Sequence, residues 1–367
     1  MPLLKAQYFT LLAVLIWAIL GRAQAPLHFY RLQQVHGVWW LQSPQGALTI
    51  ARGLNGIRLI TPSAPRTDLA PFYVDQRTAA LIVAMRRSGF NVVGSGSDAE
   101  MWHRGLPYVE SLQLSSQLSA EQQNGVMDVY APGFASQVQD LVEVAVRPRL
   151  RDPSLLGYFS DDGLAWAPNQ EPETVLDTYL GLPWSKPGRA AAVDFLRLRY
   201  ASNIVALRRS WGVKANDFTT AVPPPRATAA YRADAAGFAA QVLARYLGMV
   251  TAAIHRDDPR HLFLGAKLSL ARHNNLGSIW STADVASVRL APGQNAAAVA
   301  GVLAQRTARP IWIEIEGCGA PPPSRDAMLA NPQVIGYSWN PGGDWQSGAC
   351  AAAVETIWAP LNRRGHN

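Results

Sequence analysis

The chain has 367 residues, of which 49% are apolar and only 16% charged, a balance that supports a large buried core and excludes a disordered chain. That length fits one large domain or two ordinary ones. The formal charge of +7 is carried by scattered arginines with no dense basic run, which argues for a general surface field and against nucleic-acid binding.

Lys5 precedes an apolar run from Phe9 to Leu20, followed by Gly21-Arg22-Ala23-Gln24-Ala25. This is the layout of a secretory leader, residues 1–25, with cleavage after Ala23 or Ala25. The run is shorter than the roughly 20 residues of a spanning helix, so no stable membrane span is expected after cleavage. A secreted or periplasmic protein follows, and Cys318 and Cys350 are expected to form a disulfide there. Neither these cysteines nor the seven histidines have metal-ligand spacing, so no metal or other cofactor is expected. A Gly-x-Ser-x-Gly elbow and a phosphate loop are also missing from the sequence.

Residues 36–46 predict a hairpin, an aromatic strand running into a Ser-Pro-Gln-Gly turn. Residues 47–60 supply the next strand, interrupted by Gly53-Leu54-Asn55-Gly56. Arg77 to Ser88 is expected to be helical, Phe90 to Gly94 a strand, and Tyr108 to Leu114 a weaker strand. A helix over Ala135 to Ala145 and a strand over Leu155 to Ser160 follow, then a Pro- and Trp-rich insertion from Trp166 to Pro187. Ala190 to Trp211 has the period of one helix, with Phe195, Leu198, Ile204 and Leu207 on its apolar side. Asp234 is a suitable N-cap for a helix with Phe238, Val242, Leu243, Leu247, Val250 and Ile254 inward. Strands over 262–268, 284–290, 311–316 and 334–339, a helix over 296–305 and a terminal helix near Val354 complete the series.

About eight strands alternating with helices imply a closed parallel barrel, a (β/α)8 TIM barrel with a short N-terminal β-hairpin, over a single domain from 26 to 367. In such a barrel the chemistry sits at the C-terminal ends of the strands. Those ends carry Asn55 and Arg58, Ser95 to Asp98, Asp161 and Asp162, Lys267 with Arg272 to Asn275, Glu314 and Glu316, and Trp339, Asn340 and Asp344. On the seventh strand, alternation turns Ile311, Ile313 and Ile315 to the helix layer and Trp312, Glu314 and Glu316 to the interior. Two inward glutamates need a cation, and Arg58, Lys267 and Arg289 are the candidates. Acids on the fourth and seventh strands are also what a retaining glycosidase needs. Trp102 and His103 are candidates for a sugar platform and a hydroxyl contact.

The runs Gly37-Val38-Trp39-Trp40 through Asn55, Gly89-Phe90-Asn91, Leu106-Pro107-Tyr108, Gly157 to Trp166, Asp258 to Gly265 and Val334 to Trp339 resemble the β-agarase and β-galactosidase-type glycoside hydrolases. The resemblance extends from about residue 37 to 346. It implies a barrel with glutamates on strands four and seven, and it makes Trp339 similar to the tryptophan beneath the sugar ring. In that family the fourth strand ends in Asp-Asn-Glu-Leu-Ser-Trp. Laid on this chain without gaps, the asparagine falls on Asp162 and the acid/base glutamate on Gly163.

The reading is therefore a secreted glycoside-hydrolase-like protein for β-linked, including galactose-containing, poly- or oligosaccharide. Glu316 is expected as nucleophile and Asp162 as acid/base, with Asp161 and Glu314 beside them and Asp98 or Asp344 as substitute acids. Substrate contacts are expected from Trp102, His103, Asp98, Asn55, Lys267, Trp339 and Asn340. The alternative is a carbohydrate-binding pseudo-glycosidase, because a glycine transfers no proton.

Overall fold

The computed structural model describes residues 28–59, 71–120, 127–164, 172–269, 277–290, 293–318 and 325–357. The predicted leader, Trp166 and the Arg272 to Asn275 loop lie outside the described residues. Nine strands form one parallel sheet: β4 (Ala51–Leu54), β5 (Val92–Val93), β6 (Tyr108–Ser111), β7 (Leu155–Phe159) and β8 (Leu262–Phe263) in one direction, and β12 (Val334–Asn340), β11 (Ile311–Glu316), β10 (Ala286–Leu290) and β9 (Leu268–Ser269) in the other.

The two outer strands of that order, β8 and β9, are halves of one segment, and this closes the sheet into a barrel. β8 pairs with β7 and β9 with β10. Between them, Leu264 N donates to Tyr158 O (2.7 Å) and Ser160 N to Gly265 O (3.0 Å). The segment kinks at Gly265, whose φ of +85° only glycine adopts freely and where a Cβ would stand 2.9 Å from the Val285 carbonyl.

Alternation along the strands sorts the two cores. Ala51, Val92, Val109, Leu156, Leu264, Val285, Trp312 and Ile335 fill the barrel, while Ile311, Ile313 and Ile315 join the helix layer as predicted. Each fully buried side chain of this size contributes about 1.5–3 kcal/mol. A separate antiparallel sheet of β1 (Arg31–Val35), β2 (Val38–Gln42) and β3 (Leu48–Thr49) plugs the N-terminal end, laying Leu41 and Trp39 on the interior cluster. The aromatic strand and the Ser43 turn match the expected hairpin; β1 and its His36-Gly37 turn were additional.

Three expectations are corrected in the helix layer. The helix over 190–211 is two, Pro187–Arg199 and Ile204–Trp211, because Ala201 and Ser202 turn left-handed and Asn203 recaps the chain by accepting from Ala206 N. Leu198 is 84% exposed rather than on the apolar side. The long helix starts at Ala229 with Thr228 as its cap, so Asp234 lies inside it, buried. The insertion before it also contains a helix, Pro172–Leu180. By length and hydropathy the Ala229–Asp257 helix matches a membrane span, but Phe238, Val242, Leu243, Leu247, Val250 and Ile254 are buried in the layer around the barrel.

Candidate functional site

At the C-terminal mouth the strand ends bring five charged side chains together. Lys267, buried beside the kinked strand, places Nζ 2.5 Å from both Asp162 Oδ1 and Glu314 Oε2, and it contacts Ser95 Oγ. Arg289 on β10 donates from Nε to Glu314 Oε1 (2.8 Å) and from Nη2 to Asp162 Oδ1 (3.1 Å), and its Nε is 3.3 Å from Glu316 Oε1. Asn55 Nδ2 donates to Glu314 Oε2 (2.7 Å), and Ser95 Oγ donates to Asp162 Oδ2 (3.2 Å).

The register explains this convergence. Arg289 pairs directly across from Glu314, and Glu314 from Ser338, whose hydroxyl accepts from Trp312 Nε1 below. Burial would pull the Arg289 guanidinium below its usual range, but Glu314, Asp162 and Glu316 more than offset that and raise it. Among the described residues the cluster therefore holds three carboxylates against two cations. Glu314 is fully buried, whereas the side chains of Asp162 and Glu316 are 24% and 34% exposed. Because one ammonium touches both, the near oxygens of Asp162 and Glu314 lie at most about 5 Å apart, closer than the separation that leaves room for an inverting enzyme's water.

The other aspartate of the motif goes elsewhere. Asp161 is fully buried in the helix layer, accepting from Ser115 N and Tyr246 OH, both at 2.7 Å. Burial pushes its carboxyl up, and the Ser115 and Tyr246 hydrogen bonds only partly counter this.

The remaining predicted residues divide. Asn55 and Lys267 are in the cluster. Asn340 stands at the mouth, with its Oδ1 accepting from Gly342 N. Asp98 ties two loops together, accepting from Arg58 Nη1 and Leu59 N, which also removes Arg58 as a partner for the glutamates. Asp344 closes a turn by accepting from Gln346 N. Trp339 faces outward: its ring stacks on Phe90 in the helix layer and its Nε1 donates to Gly317 O, so it does not floor a sugar site. Trp102 stacks on Tyr108 under Arg149, and His103 is 3.5 Å from Asp152, which puts both toward the strand starts and away from the mouth. Cys318 and Cys350 are disulfide-bonded, as expected. Ser338 escaped the sequence reading; choosing the opposite parity on β12, with Trp339 outward, would have found it.

No family model and no curated protein matches this chain. Solved structures do. An exo-β-agarase superposes with a TM-score of 0.66 at 16% identity, covering 91% of this chain and 65% of its own. The agarase AgWH50C gives 0.64 at 17% identity, covering 86% and 59%. What the chain shares with both is the barrel fold. The catalytic domain of a β-amylase from Paenibacillus polymyxa also shares it, with a TM-score of 0.54 at 11% identity over 84% of this chain and 97% of its own. The chain spans less than two thirds of the length of the two agarases.

Proposed function

We propose that this barrel receives a β-linked carbohydrate, galactose-containing glycans included, at its C-terminal mouth and holds it without two-carboxylate cleavage. The observation that carries this reading is the occupancy of Asp162. Its Oδ1 accepts from Lys267 and Arg289 and its Oδ2 from Ser95, so both oxygens of this carboxyl are already engaged within the mouth and neither is directed at a leaving oxygen. By the sequence resemblance the proton donor would stand at Gly163, which has none to give. The agarases among the structural neighbours support a carbohydrate ligand, and the predicted leader with the disulfide supports a secreted or periplasmic setting.

One observation favours a second reading, retaining hydrolysis with Glu316 attacking the anomeric carbon and Asp162 as acid/base. It is that one Arg289 side chain contacts both carboxyls, Nη2 at 3.1 Å from Asp162 Oδ1 and Nε at 3.3 Å from Glu316 Oε1, so the two acids stand at the same mouth. A dinitrophenyl β-galactoside, whose leaving group needs little acid help, separates the two. The binding reading expects no dinitrophenolate release above a Glu316→Gln control, together with measurable binding of galactan oligosaccharides. Turnover that Glu316→Gln abolishes would replace it with the second.

A further inference from the structure

The Arg289 guanidinium spends Nε on Glu314 and Glu316 and Nη2 on Asp162, whereas Nη1 has no partner among the described residues. Nη1 lies 3.6 Å from where a Cβ on Gly163 would stand, and Gly163 has a φ of +106°. Among the described residues, chain neighbours aside, nothing but this unused N–H group stands within 4 Å of that point, at a mouth where the arginine side chain is 22% exposed.

Resting on the carbohydrate reading above, we propose that Arg289 Nη1 grips a sugar oxygen beside Gly163, and that the mouth selects uncharged glycans. Three carboxylates hold the planar fork in place, so little side-chain freedom is lost when it takes a ligand. Arginine keeps its protons, so it donates a hydrogen bond to an oxygen without transferring a proton. That combination binds a sugar and leaves its linkage intact.

Selectivity follows from the charge count. Among the described residues of this cluster, three carboxylates against two cations leave one net negative charge before any ligand arrives. A sulfate or uronate reaching Nη1 would sit beside Asp162 and Glu316, and like charges brought together across an interface are strongly disfavoured. A hydroxyl or ring oxygen accepts from Nη1 with no such opposition. The net +7 of the whole chain pulls the other way at long range, so the comparison belongs at about 0.15 M salt, where that field is screened beyond about 8 Å.

Isothermal titration calorimetry on the full chain tests this, with a neutral agarose-derived tetrasaccharide and a sulfated galactan tetrasaccharide as probes. The neutral probe is expected to bind at least about tenfold tighter than the sulfated one. Gly163→Ala, which places a methyl against Nη1 on a backbone whose φ of +106° disfavours any side chain, should weaken neutral binding at least about tenfold, with circular dichroism checking that the variant folds. Arg289→Lys should weaken it at least as much; if that variant fails to fold by circular dichroism, Gly163→Ala decides alone. Neutral binding unchanged in Gly163→Ala overturns the Arg289 assignment while the carbohydrate reading stands. Equal or tighter binding of the sulfated probe overturns the selectivity. Failure of the wild type to bind either probe overturns the carbohydrate reading itself.

Discussion

Two adjacent aspartates in one motif have opposite surroundings, and this is the sharpest lesson at the scale of residues. Asp162 meets two cations at the mouth, whereas Asp161 is buried between a backbone N–H and the Tyr246 hydroxyl with no cation beside it among the described residues. Burial raises the Asp161 carboxyl above its unfolded value near 3.9. The native state then binds more protons than the unfolded state above that pH, so this group's contribution falls as pH rises through its raised pKa. An asparagine keeps an acceptor for Ser115 N and carries no charge to desolvate. Asp161→Asn is therefore expected to be at least as stable as the wild type at pH 7, with the advantage shrinking toward pH 4. Urea unfolding at both pH values measures it, and a loss above about 1 kcal/mol at pH 7 would show that the charge is needed there.

At the scale of elements, the helices gained what the sequence concealed. Asp234 has the right residue type for an N-cap, and residue type alone predicts one there. In the fold it is a buried anchor inside the long helix, accepting from Arg199 Nε (3.0 Å), Tyr200 OH (2.6 Å) and Trp211 Nε1 (2.8 Å). It thereby fastens the ends of the two helices that a single predicted helix had merged. Burial and this carboxylate push the Tyr200 hydroxyl up to about 12. Asp234→Ala strands a buried indole N–H and loosens a tyrosine hydroxyl and a guanidinium, a cost of about 2–5 kcal/mol. Denaturant melts should show that loss with no change in the ion pairs of Lys267 and Arg289, which lie at the barrel mouth.

The strands were the legible part. Ile311 to Glu316 was predicted residue for residue, because period-2 alternation of isoleucines with Trp312, Glu314 and Glu316 leaves one solution. Parity was harder on β12, where both faces carry large or small residues alike and Trp339 was turned the wrong way. Residue type alone also put Trp102 and His103 at the mouth, although the chain has already run back toward the strand starts there.

For the whole molecule, closure and coupling are separate devices. The barrel closes through Gly265, while the plug of β1 to β3 seals the far end. The mouth is fastened outward by a covalent link: Cys318, two residues after Glu316, is bonded to Cys350 in the helix Gly348–Ile357, across a separation of 32 residues. A loop of that length predicts a chain-entropy stabilisation of about 3–4 kcal/mol. Glu314 does not depend on this link, since β10 and β12 flank its strand and Lys267, Arg289 and Asn55 hold its oxygens. Glu316 does, because its one ion pair among the described residues is a 3.3 Å contact to Arg289 and Gly317 alone separates it from Cys318. A Cys318→Ser, Cys350→Ser double variant should therefore lose about 2–4 kcal/mol of stability in a denaturant melt. It should keep its binding of the neutral tetrasaccharide within about threefold, because the Arg289 fork remains clamped by Asp162 and Glu314. A collapse of binding at temperatures where the double variant is still folded would instead make Glu316 and its loop the principal sugar contact.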